Sequence, residues 1–279
     1  MKTKSIIILL LLFAGCRLKS QVYESLENRK GLDNVTEASG ITSPATISII
    51  YDNYVFLEGT SSDWGFSVLI DGLEKKLIFD TGTKPEIFEA NIKKTGLNAS
   101  ATDILVISHE HGDHTGGIPA FVKMKTGIPI IIPHSFSSNF KTRVTGYGLK
   151  PLLVDGPSEI CSNLYSSGVF DYKIAEHSLV LDTKKGLVVI TGCAHPGIIA
   201  MVRKIKADFN KNIYMVMGGF HLMNKSEAET RDIIAEMKQL GVVRCGATHC
   251  TGDMQIGMFR QAFGDNYVEM GTGNRIVVD

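Results

Sequence analysis

Three of the eight histidines in this chain lie within six residues, in the glycine-rich segment Ser108–Gly117. His109 and His111 alternate by two and can point the same way in an extended chain. Asp113 and His114 follow a glycine turn and can reach a second point close by. Imidazole nitrogens with one carboxylate suit Zn²⁺ or another first-row divalent ion. A solvated polar loop is the plain alternative, but it does not require such clustering of ligand side chains.

The elements around this cluster place it on a loop between a strand and a helix. Ile104–Ile107 has the length of a buried strand, and Ile118–Lys125 has helical spacing. Strand and helix patterns alternate along the chain, which predicts a layered α/β domain. The predicted strands are Phe66–Ile70 and Lys75–Phe79 with a hairpin at Gly72, Ile128–Ile132, Leu187–Thr191, Ile213–Met217, one near Val243, and Val268–Val278; the other predicted helices are Glu86–Thr95, Ile198–Asp208, Ser226–Leu240 and Met254–Phe263.

The composition excludes several classes of protein. The 279 residues are enough for one to two domains, and 29 basic residues balance 29 acidic ones. A balanced charge gives no support for nucleic-acid binding, and a hydrophobic content of 44% argues against disorder. Five cysteines are too few for a disulfide scaffold, and the sequence does not pair them. The expected partner is a small-molecule substrate, and the oligomeric state is left open.

The N-terminal residues resemble an export signal. Two lysines in Met1–Lys4 precede the apolar run Ile6–Phe13, which is shorter than the about 20 residues that a membrane-spanning helix needs. The segment Phe13–Cys16 resembles a bacterial lipobox. That resemblance implies lipidation of Cys16 and a domain held outside the cytoplasm, in the bacterial cell envelope, by the lipid alone. An ordinary cleaved signal is the alternative.

These features divide the chain into three parts. Residues 1–15 are predicted to be the signal peptide, residues 16–44 a polar tether, and residues 45–279 the folded domain. Within the tether, Val22–Leu26 is the segment that is apolar enough to pack on the domain.

The histidine cluster resembles the metal motif His-x-His-x-Asp-His of the metallo-β-lactamase-fold hydrolase superfamily. Asp80 resembles the aspartate of its first motif, and His195 and His249 resemble its third and last histidines. The resemblance implies an αβ/βα sandwich, with two central sheets, helices outside and metals at one edge. The segments that carry the last three similarities are Phe79-Asp80-Thr81-Gly82, Thr191-Gly192-Cys193-Ala194-His195 and Ala247-Thr248-His249-Cys250.

The same resemblance implies a ligand set for one or two divalent ions, zinc first, with manganese or iron as alternatives. Many members also have a metal-bridging aspartate after a strand, whereas this chain has Gly218–His221 there and no aspartate. His221 is then a candidate metal ligand, acid or base, substrate contact or structural histidine. The implied ligands are His109, His111 and His195 for one ion and Asp113, His114 and His249 for the other, with Asp80 orienting them.

Finer similarities point to one branch of the superfamily, named for 7,8-dihydropterin-6-methyl-4-(β-D-ribofuranosyl)aminobenzene-5′-phosphate synthase. They lie in Asp63–Ser67, Thr191–Gly197, Gly218–Leu222 and Thr248–Gly252. That reaction serves a cytosolic pathway, whereas the resemblance to an export signal predicts that this chain is exported. The favoured function is therefore a hydrolase.

In that function, metal-bound hydroxide attacks an ester, lactone, amide or phosphoester, and Asp113 or His221 takes up or returns the proton. The alternatives are a synthase-like transferase and a non-catalytic metal-binding lipoprotein.

The remaining chemical residues have plainer interpretations. His134 and His177 are predicted to be surface or loop histidines, with the cleft mouth as the alternative for His177. Glu110 would point away from its neighbours in an extended segment, so we place it outside the site.

The aromatic and sulfur residues near the motifs have packing as their first interpretation. Trp64 and Phe66 are predicted to pack in the core, with a substrate wall as the alternative. Cys193 and Cys250 are predicted to pack as small apolar side chains, with redox or soft-metal chemistry as the alternative.

Overall fold

The computed structural model describes residues 23–279, so the predicted signal peptide and Cys16 lie outside the described residues. Strands and helices alternate through the described range, as the sequence predicts. The strands are β1 (Glu24–Ser25), β2 (Ala45–Tyr51), β3 (Ser67–Asp71), β4 (Leu77–Phe79), β5 (Ile104–Val106), β6 (Pro129–Pro133), β7 (Lys150–Val154), β8 (Ser158–Cys161), β9 (Leu164–Ser166), β10 (Leu179–Thr183), β11 (Gly186–Thr191), β12 (Ile213–Gly219), β13 (Arg244–Thr248) and β14 (Arg275–Val278). The helices are α1 (Pro85–Thr95), α2 (Gly112–Thr115), α3 (Ile118–Met124), α4 (Ser138–Gly146), α5 (Ile198–Phe209), α6 (Glu227–Gln239) and α7 (Asp253–Phe263).

The strands of residues 23–279 form two mixed sheets. The first has the order β1-β7-β6-β5-β4-β3-β2-β14, and the second has the order β13-β12-β11-β10-β9-β8. Strands β4 to β7 run parallel to one another, as do β11, β12 and β13. The carboxyl ends of parallel strands meet at one edge of a sheet, so each sheet collects the loops that follow its parallel strands at such an edge.

The two sheets pack face to face, with helices on their outer faces. Val106 of β5 and Val188 of β11 belong to the apolar cluster between the sheets. Leu105 packs in the cluster beneath α1, α3 and α4, and Val189 packs in the cluster beneath α5, α6 and α7. Successive residues of one strand thus enter different cores, which is why these strands are continuous apolar runs in the sequence. The arrangement confirms the predicted αβ/βα sandwich.

Local signals account for the ends of the elements. Helix α1 begins with Pro85 and ends where Gly96 takes a left-handed conformation, with φ 68°. Ser226 and Glu229 form a reciprocal capping box at the start of α6. The predicted strand over 268–278 is shortened to β14, because Gly271 and Gly273 have φ values of 132° and 91° and turn the chain.

Part of the predicted tether is packed on the domain. Strand β1 pairs in parallel with β7, and Leu32 and Val35 are buried in the apolar cluster beneath the helices of the second sheet. Ser39 contacts a buried ion pair between Lys211 and Asp182. Residues 24–44 of the predicted tether are thus packed on the domain, and β1 lies within Val22–Leu26, the segment that was expected to pack. No helix within residues 23–279 is long and apolar enough to cross a membrane.

Candidate metal centre

The predicted ligands follow the carboxyl ends of strands from both sheets. Asp80 follows β4, and the cluster that begins at His109 follows β5 in the first sheet. His195 follows β11 and His249 follows β13 in the second sheet. Because these edges face each other, site residues separated by up to 169 positions in sequence, from the orienting Asp80 to the ligand His249, lie in one group.

Asp80 is fully buried and orients its neighbours. Its Oδ1 accepts a hydrogen bond from the Ser108 backbone N–H at 2.7 Å, and its Oδ2 lies 2.7 Å from both Ser108 Oγ and His114 Nδ1. Burial raises the pKa of Asp80, and the neighbouring His114 opposes that shift. Asp80 is thus placed to fix the loop and the His114 ring, in the position that the resemblance implied.

Glu176 orients His195, and sequence reasoning did not identify it. Its buried carboxylate accepts backbone N–H bonds from Cys193, Ala194 and His195 at 2.8–3.0 Å and lies 2.9 Å from His195 Nδ1. Burial alone would raise the pKa of Glu176, but the contacts with His195 and His109 hold it below its usual range. Glu176 lies on an irregular segment 19 residues before His195, so no sequence spacing links the two.

The first implied ligand group is assembled in the structure. The rings of His109 and His111 have centroids 4.7 Å apart, and each lies close to the His195 ring, at 4.7 Å and 4.9 Å respectively. His109 is fully buried, His195 is partly buried and His111 is exposed. Burial, with the neighbouring histidines, lowers the pKa of His109 well below its usual value, which favours the neutral form that binds metals.

The second implied group is also assembled. Asp113 Oδ2 lies 3.6 Å from His114 Nε2 and 3.3 Å from His249 Nε2, and the two rings have centroids 5.1 Å apart. Burial would raise the pKa of Asp113, but its contacts with His114 and His249 hold it well below the usual range. Despite burial, the facing carboxylates of Asp80 and Asp113 raise the pKa of His114 to about 10.

The donor set fits divalent metal ions. Buried histidine ligands in metal sites bind through one ring nitrogen while the other is held by a hydrogen-bond partner. Here the Nδ1 atoms of four histidines are held, and the Nε2 atoms of two of them, His109 and His114, contact other candidate donors of the centre, namely His111 Nδ1 and Cys193 Sγ, each at 3.2 Å. The Nε2 atom of His249 is buried and has no hydrogen-bond partner within the described residues. The Nδ1 partners are Ser108 Oγ for His109 at 2.9 Å, Asp80 for His114 at 2.7 Å, Glu176 for His195 at 2.9 Å and Asn53 Oδ1 for His249 at 2.9 Å.

Comparisons with known proteins agree with this geometry. The metallo-β-lactamase superfamily model matches residues 65–197. A 7,8-dihydropterin-6-methyl-4-(β-D-ribofuranosyl)-aminobenzene-5′-phosphate synthase of Methanocaldococcus jannaschii is 29% identical, with 77% of this chain and 90% of that protein covered. The solved structure of Tm1679, a metal-dependent hydrolase of the β-lactamase superfamily, matches with a TM-score of 0.69 and 28% identity, covering 83% of this chain and 98% of that one. The chain has the metallo-β-lactamase fold.

A more distant structure shows the same fold. The metallo-β-lactamase fold protein YhfI from Bacillus subtilis matches with a TM-score of 0.63 at 14% identity, covering 85% of this chain and all of that chain (100%). The common architecture therefore extends over nearly the whole described domain.

His221 lies at the open side of the candidate metal centre. Its side chain is exposed, and its ring centroid is 4.5 Å from that of His195. A hydrogen bond with Cys250 raises the pKa of His221. Its backbone has φ 52°, in the left-handed region, which turns the side chain back towards the centre after β12.

Two other histidines lie outside the ligand group. His134 is exposed and pairs with Asp155 at 3.2 Å, as predicted for a surface histidine. The prediction for His177 is wrong, both as a surface residue and as a residue of the cleft mouth. Its ring is fully buried, with Nε2 3.0 Å from the Ile107 carbonyl and Nδ1 2.8 Å from Ser166 Oγ. Burial accordingly lowers the pKa of His177 to about 4.

The predictions for the side chains near the motifs are confirmed in part. Phe66 is fully buried in the core between the sheets, and Glu110 points away, accepting bonds from the backbone and hydroxyl of Ser137. Trp64 is not a core residue, since it is 42% exposed and its ring lies 4.8 Å from the His249 ring. Its Nε1 donates to Asp113 Oδ2 at 2.8 Å. Trp64 therefore forms a wall of the site.

Replacing Trp64 by Phe is expected to weaken metal binding three- to tenfold. The change removes one hydrogen bond to a charged acceptor, which costs about 1 kcal/mol of metal-binding free energy. It keeps an aromatic ring beside His249. Calorimetric titration of the metal-free protein with Zn²⁺ measures this. Tyr54→Phe is the matched control, because it removes a hydroxyl that bonds Asp253 in the same cavity and leaves Asp113 untouched. An unchanged affinity would show that Trp64 does not position Asp113.

Asp52 is a buried carboxylate behind β13, and it gives the fold a pH-dependent stability. Its oxygens accept bonds from Thr248 Oγ1 at 2.7 and 2.8 Å, yet burial raises its pKa to about 7. Below about pH 4 both the folded and unfolded states hold the proton. Between about pH 4 and 7 the unfolded state loses it first, so stability falls as the pH rises.

Asp52→Asn is expected to remove this dependence. Between pH 4.5 and 7 the native chain should lose about 3 kcal/mol of unfolding free energy relative to the variant. Urea unfolding of both proteins across this range measures the difference. A difference that stays constant with pH would show that Asp52 is already ionised throughout.

Proposed function

We propose that this domain is a metal-dependent hydrolase acting on an ester, lactone, amide or phosphoester. The observation that carries the proposal is the set of four histidines with Nδ1 held by a hydrogen-bond partner. Such an arrangement fixes ring orientation before any metal arrives, which is what a stable metal centre requires. Tm1679, a metal-dependent hydrolase at 28% identity, supports the same chemistry.

The proposed ligands are those that the structure brings together. Bound divalent ions would supply a Lewis acid and lower the pKa of water from about 15.7 towards 7. The nitrogen and carboxylate donors fit zinc first, and manganese or iron as alternatives. The ligands would be His109, His111 and His195, whose rings lie close together, in one group, and Asp113, His114 and His249 in the other.

Asp113 and His221 have different tasks in this proposal. Asp113 lies between the rings of His114 and His249 and accepts from Trp64, so it stays a carboxylate and serves as a ligand and positioning group. His221 is exposed at the opening beside His195, where a leaving group would depart. We therefore assign proton delivery to His221 rather than to Asp113.

Two clefts beside the centre have room for a small-molecule substrate. One, of about 340 Å³, is lined by Asn53, Trp64 and His249. The other, of about 450 Å³, lies beside His111 and is lined by Tyr172 and other residues. A cleavable bond placed between the clefts would lie against the histidine centre, with one half of the substrate in each.

Hydrolysis of a panel of ester, lactone, amide and phosphoester probes tests the proposal. The purified protein should lose activity after chelation and regain it with Zn²⁺, Mn²⁺ or Fe²⁺. His195→Ala should abolish turnover and metal retention, whereas His134→Ala, which removes an exposed histidine outside the centre, should change neither. Metal-independent hydrolysis, or full activity in His195→Ala, would contradict the proposal.

A second candidate is a synthase-like transferase, which the 29% identical relative from Methanocaldococcus jannaschii favours. The same centre would then hold a pterin or phosphate group while two substrates join. Mass spectrometry would detect the product named for that relative when the protein is supplied with a ribofuranosylaminobenzene 5′-phosphate and a 7,8-dihydropterin that carries a leaving group, such as diphosphate, on its 6-methyl carbon. The carbon–nitrogen bond would form as that group leaves, and the amine proton would go to solvent. Product formation without hydrolysis of the probe panel would replace the hydrolase proposal.

We also propose that lipidation of Cys16 anchors the domain in the bacterial cell envelope. The lipobox-like segment Phe13–Cys16 supports this. Intact-mass analysis of the membrane fraction should find a diacylglyceryl chain on the native protein and none on Cys16→Ser. A mature protein that begins beyond Cys16 would indicate ordinary signal cleavage instead.

A further inference from the structure

The sulfur of Cys193 is a donor common to both histidine groups. It lies within 4.8 Å of the donor atoms of Asp113, His114 and His249, and within 4.8 Å of those of His109 and His195. Within residues 23–279, four sets of side chains have donor atoms close enough together to hold a metal ion, and Cys193 belongs to three of them. The sets are Asp113, His114, Cys193 and His249; His109, Cys193 and His195; Cys193, His221 and Cys250; and His109, His111 and Asp113.

The contacts of Cys193 point into the centre. Its Sγ lies 3.2 Å from His114 Nε2, the ring nitrogen that faces away from Asp80. The side chain is 2% exposed and follows β11, the strand that also leads to His195. The thiol was predicted to be a small apolar side chain, but its neighbours are the donor atoms of the metal centre rather than apolar groups.

The neighbouring strand has no room for a ligand of its own. Strand β12 ends in Gly218 and Gly219, where the resemblance leads one to expect an aspartate. A Cβ at Gly218 would meet the Thr191 carbonyl oxygen at 2.1 Å, and one at Gly219 would meet the Gly192 carbonyl oxygen at 2.4 Å and Cys250 Sγ at 2.7 Å. The end of β11 and the side chain of Cys250 therefore occupy the space that a side chain on β12 would need.

We propose that the Cys193 thiolate is the ligand shared by the two metal ions, in the role that an aspartate has in many superfamily members. The inference rests on the proposed metal centre. On binding, the S–H bond breaks, sulfur–metal bonds form and the proton leaves to solvent. A sulfur donor shifts the preference of the centre towards zinc, iron or cobalt and away from magnesium or manganese.

Cys250 has a different position, although its sulfur is also buried. Its thiol donates to the Cys193 carbonyl oxygen at 3.5 Å, and it is grouped with His221 and Cys193 but with neither main histidine group. Cys250 is therefore a control within the site for Cys193. Cys161, buried on β8 of the second sheet, is a control away from it.

Spectroscopy of the purified full chain tests the inference without relying on activity. Loaded with Co²⁺, the native protein should show thiolate-to-cobalt charge-transfer absorption in the near ultraviolet. Loaded with Zn²⁺, it should show a zinc–sulfur distance of about 2.3 Å in its extended X-ray absorption fine structure. Cys193→Ser should lose both signals, and its affinity for metal should fall at least tenfold. Cys250→Ser and Cys161→Ser should keep both.

The outcomes separate this inference from the proposed function. Metal bound to the native protein without a sulfur signal would overturn the role of Cys193 and leave the hydrolase proposal standing. A signal that disappears in Cys250→Ser and persists in Cys193→Ser would also overturn it. If no metal binds, both proposals fail. The zinc–sulfur signal of the native protein decides whether sulfur binds the metal even if Cys193→Ser does not fold.

Discussion

Replacing Lys211 by Met is expected to lower the free energy of unfolding by about 3–5 kcal/mol. Lys211 Nζ lies 2.7 Å from Asp182 Oδ1 and 2.8 Å from the Ser39 carbonyl oxygen, and both charged side chains are 1% exposed. Removing the ammonium leaves the carboxylate of Asp182 buried with the Ser39 hydroxyl as its remaining side-chain partner. An uncompensated buried charge costs far more than the loss of a surface ion pair.

Urea unfolding of the native protein and three variants measures this. Lys204→Met is the matched control, because Lys204 pairs with Asp208 on the surface and its loss should cost less than about 1 kcal/mol. The double variant Lys211→Met/Asp182→Leu should recover most of the lost stability, since it leaves no charge unpaired. A small effect of Lys211→Met alone would mean that water reaches Asp182 in the folded state.

Glu176→Ala is expected to remove both stability and metal affinity. Three backbone N–H groups and the His195 ring would lose their common acceptor, at about 1–3 kcal/mol for each buried donor left unpaired. The orientation of His195 would no longer be held, which lowers metal affinity about 10–100-fold. Thermal unfolding with and without Zn²⁺, together with a zinc titration, measures the two effects.

Glu176→Gln separates shape from charge. Gln keeps the volume and one carbonyl acceptor, but its amide places N–H groups against N–H donors. We expect Glu176→Gln to lose less unfolding free energy than Glu176→Ala and to lose a similar amount of zinc affinity. Glu110→Gln, which changes a carboxylate next to the histidine cluster that bonds Ser137, is the control and should leave zinc affinity unchanged. If Glu176→Ala and Glu176→Gln bind zinc as tightly as the native protein and Glu110→Gln do, Glu176 has no part in holding His195.

The sequence predicts the ligand loops well because they follow strands that are buried on both faces. Ile104–Ile107 and Leu187–Thr191 are continuous apolar runs for that reason, and the residues after them form the centre. The grouping of His109, His111 and Asp113 is local, so their spacing alone reveals it. The addition of His195 and His249 comes from the family resemblance, since no local pattern links residues so far apart.

The supporting residues could not be predicted in the same way. Asn53 holds His249 across 196 positions, and Glu176 holds His195 from a segment without periodicity. Trp64 looks like a core residue in sequence, but its indole N–H faces Asp113. Each depends on how the two sheets pack, which hydrophobic spacing does not specify. Strands β2, β7 and β10 were missed although each contains an apolar run, and β8 and β9 are too short and mixed in polarity to give a pattern.

The backbone at the centre explains why these ligands converge. Among residues 23–279, seven non-glycine residues have positive φ, and four of them lie at the strand ends of the site. Such conformations cost about 1–3 kcal/mol each and persist where the surroundings fix them. They are Asp80, Ala194, His221 and His249, with φ values of 58°, 61°, 52° and 51°.

The origin of the ligands in both sheets has a further consequence. The first sheet supplies residues 109–114 and the second supplies His195 and His249, so neither half holds a complete set. A metal ion that binds the assembled centre and not the separate halves adds its binding free energy to their association. Two fragments divided between β7 and β8 should therefore associate more tightly with Zn²⁺ than without it. Strand β14 of the second fragment also completes the first sheet, so the ion reports the association of the two fragments rather than that of two separate sheets.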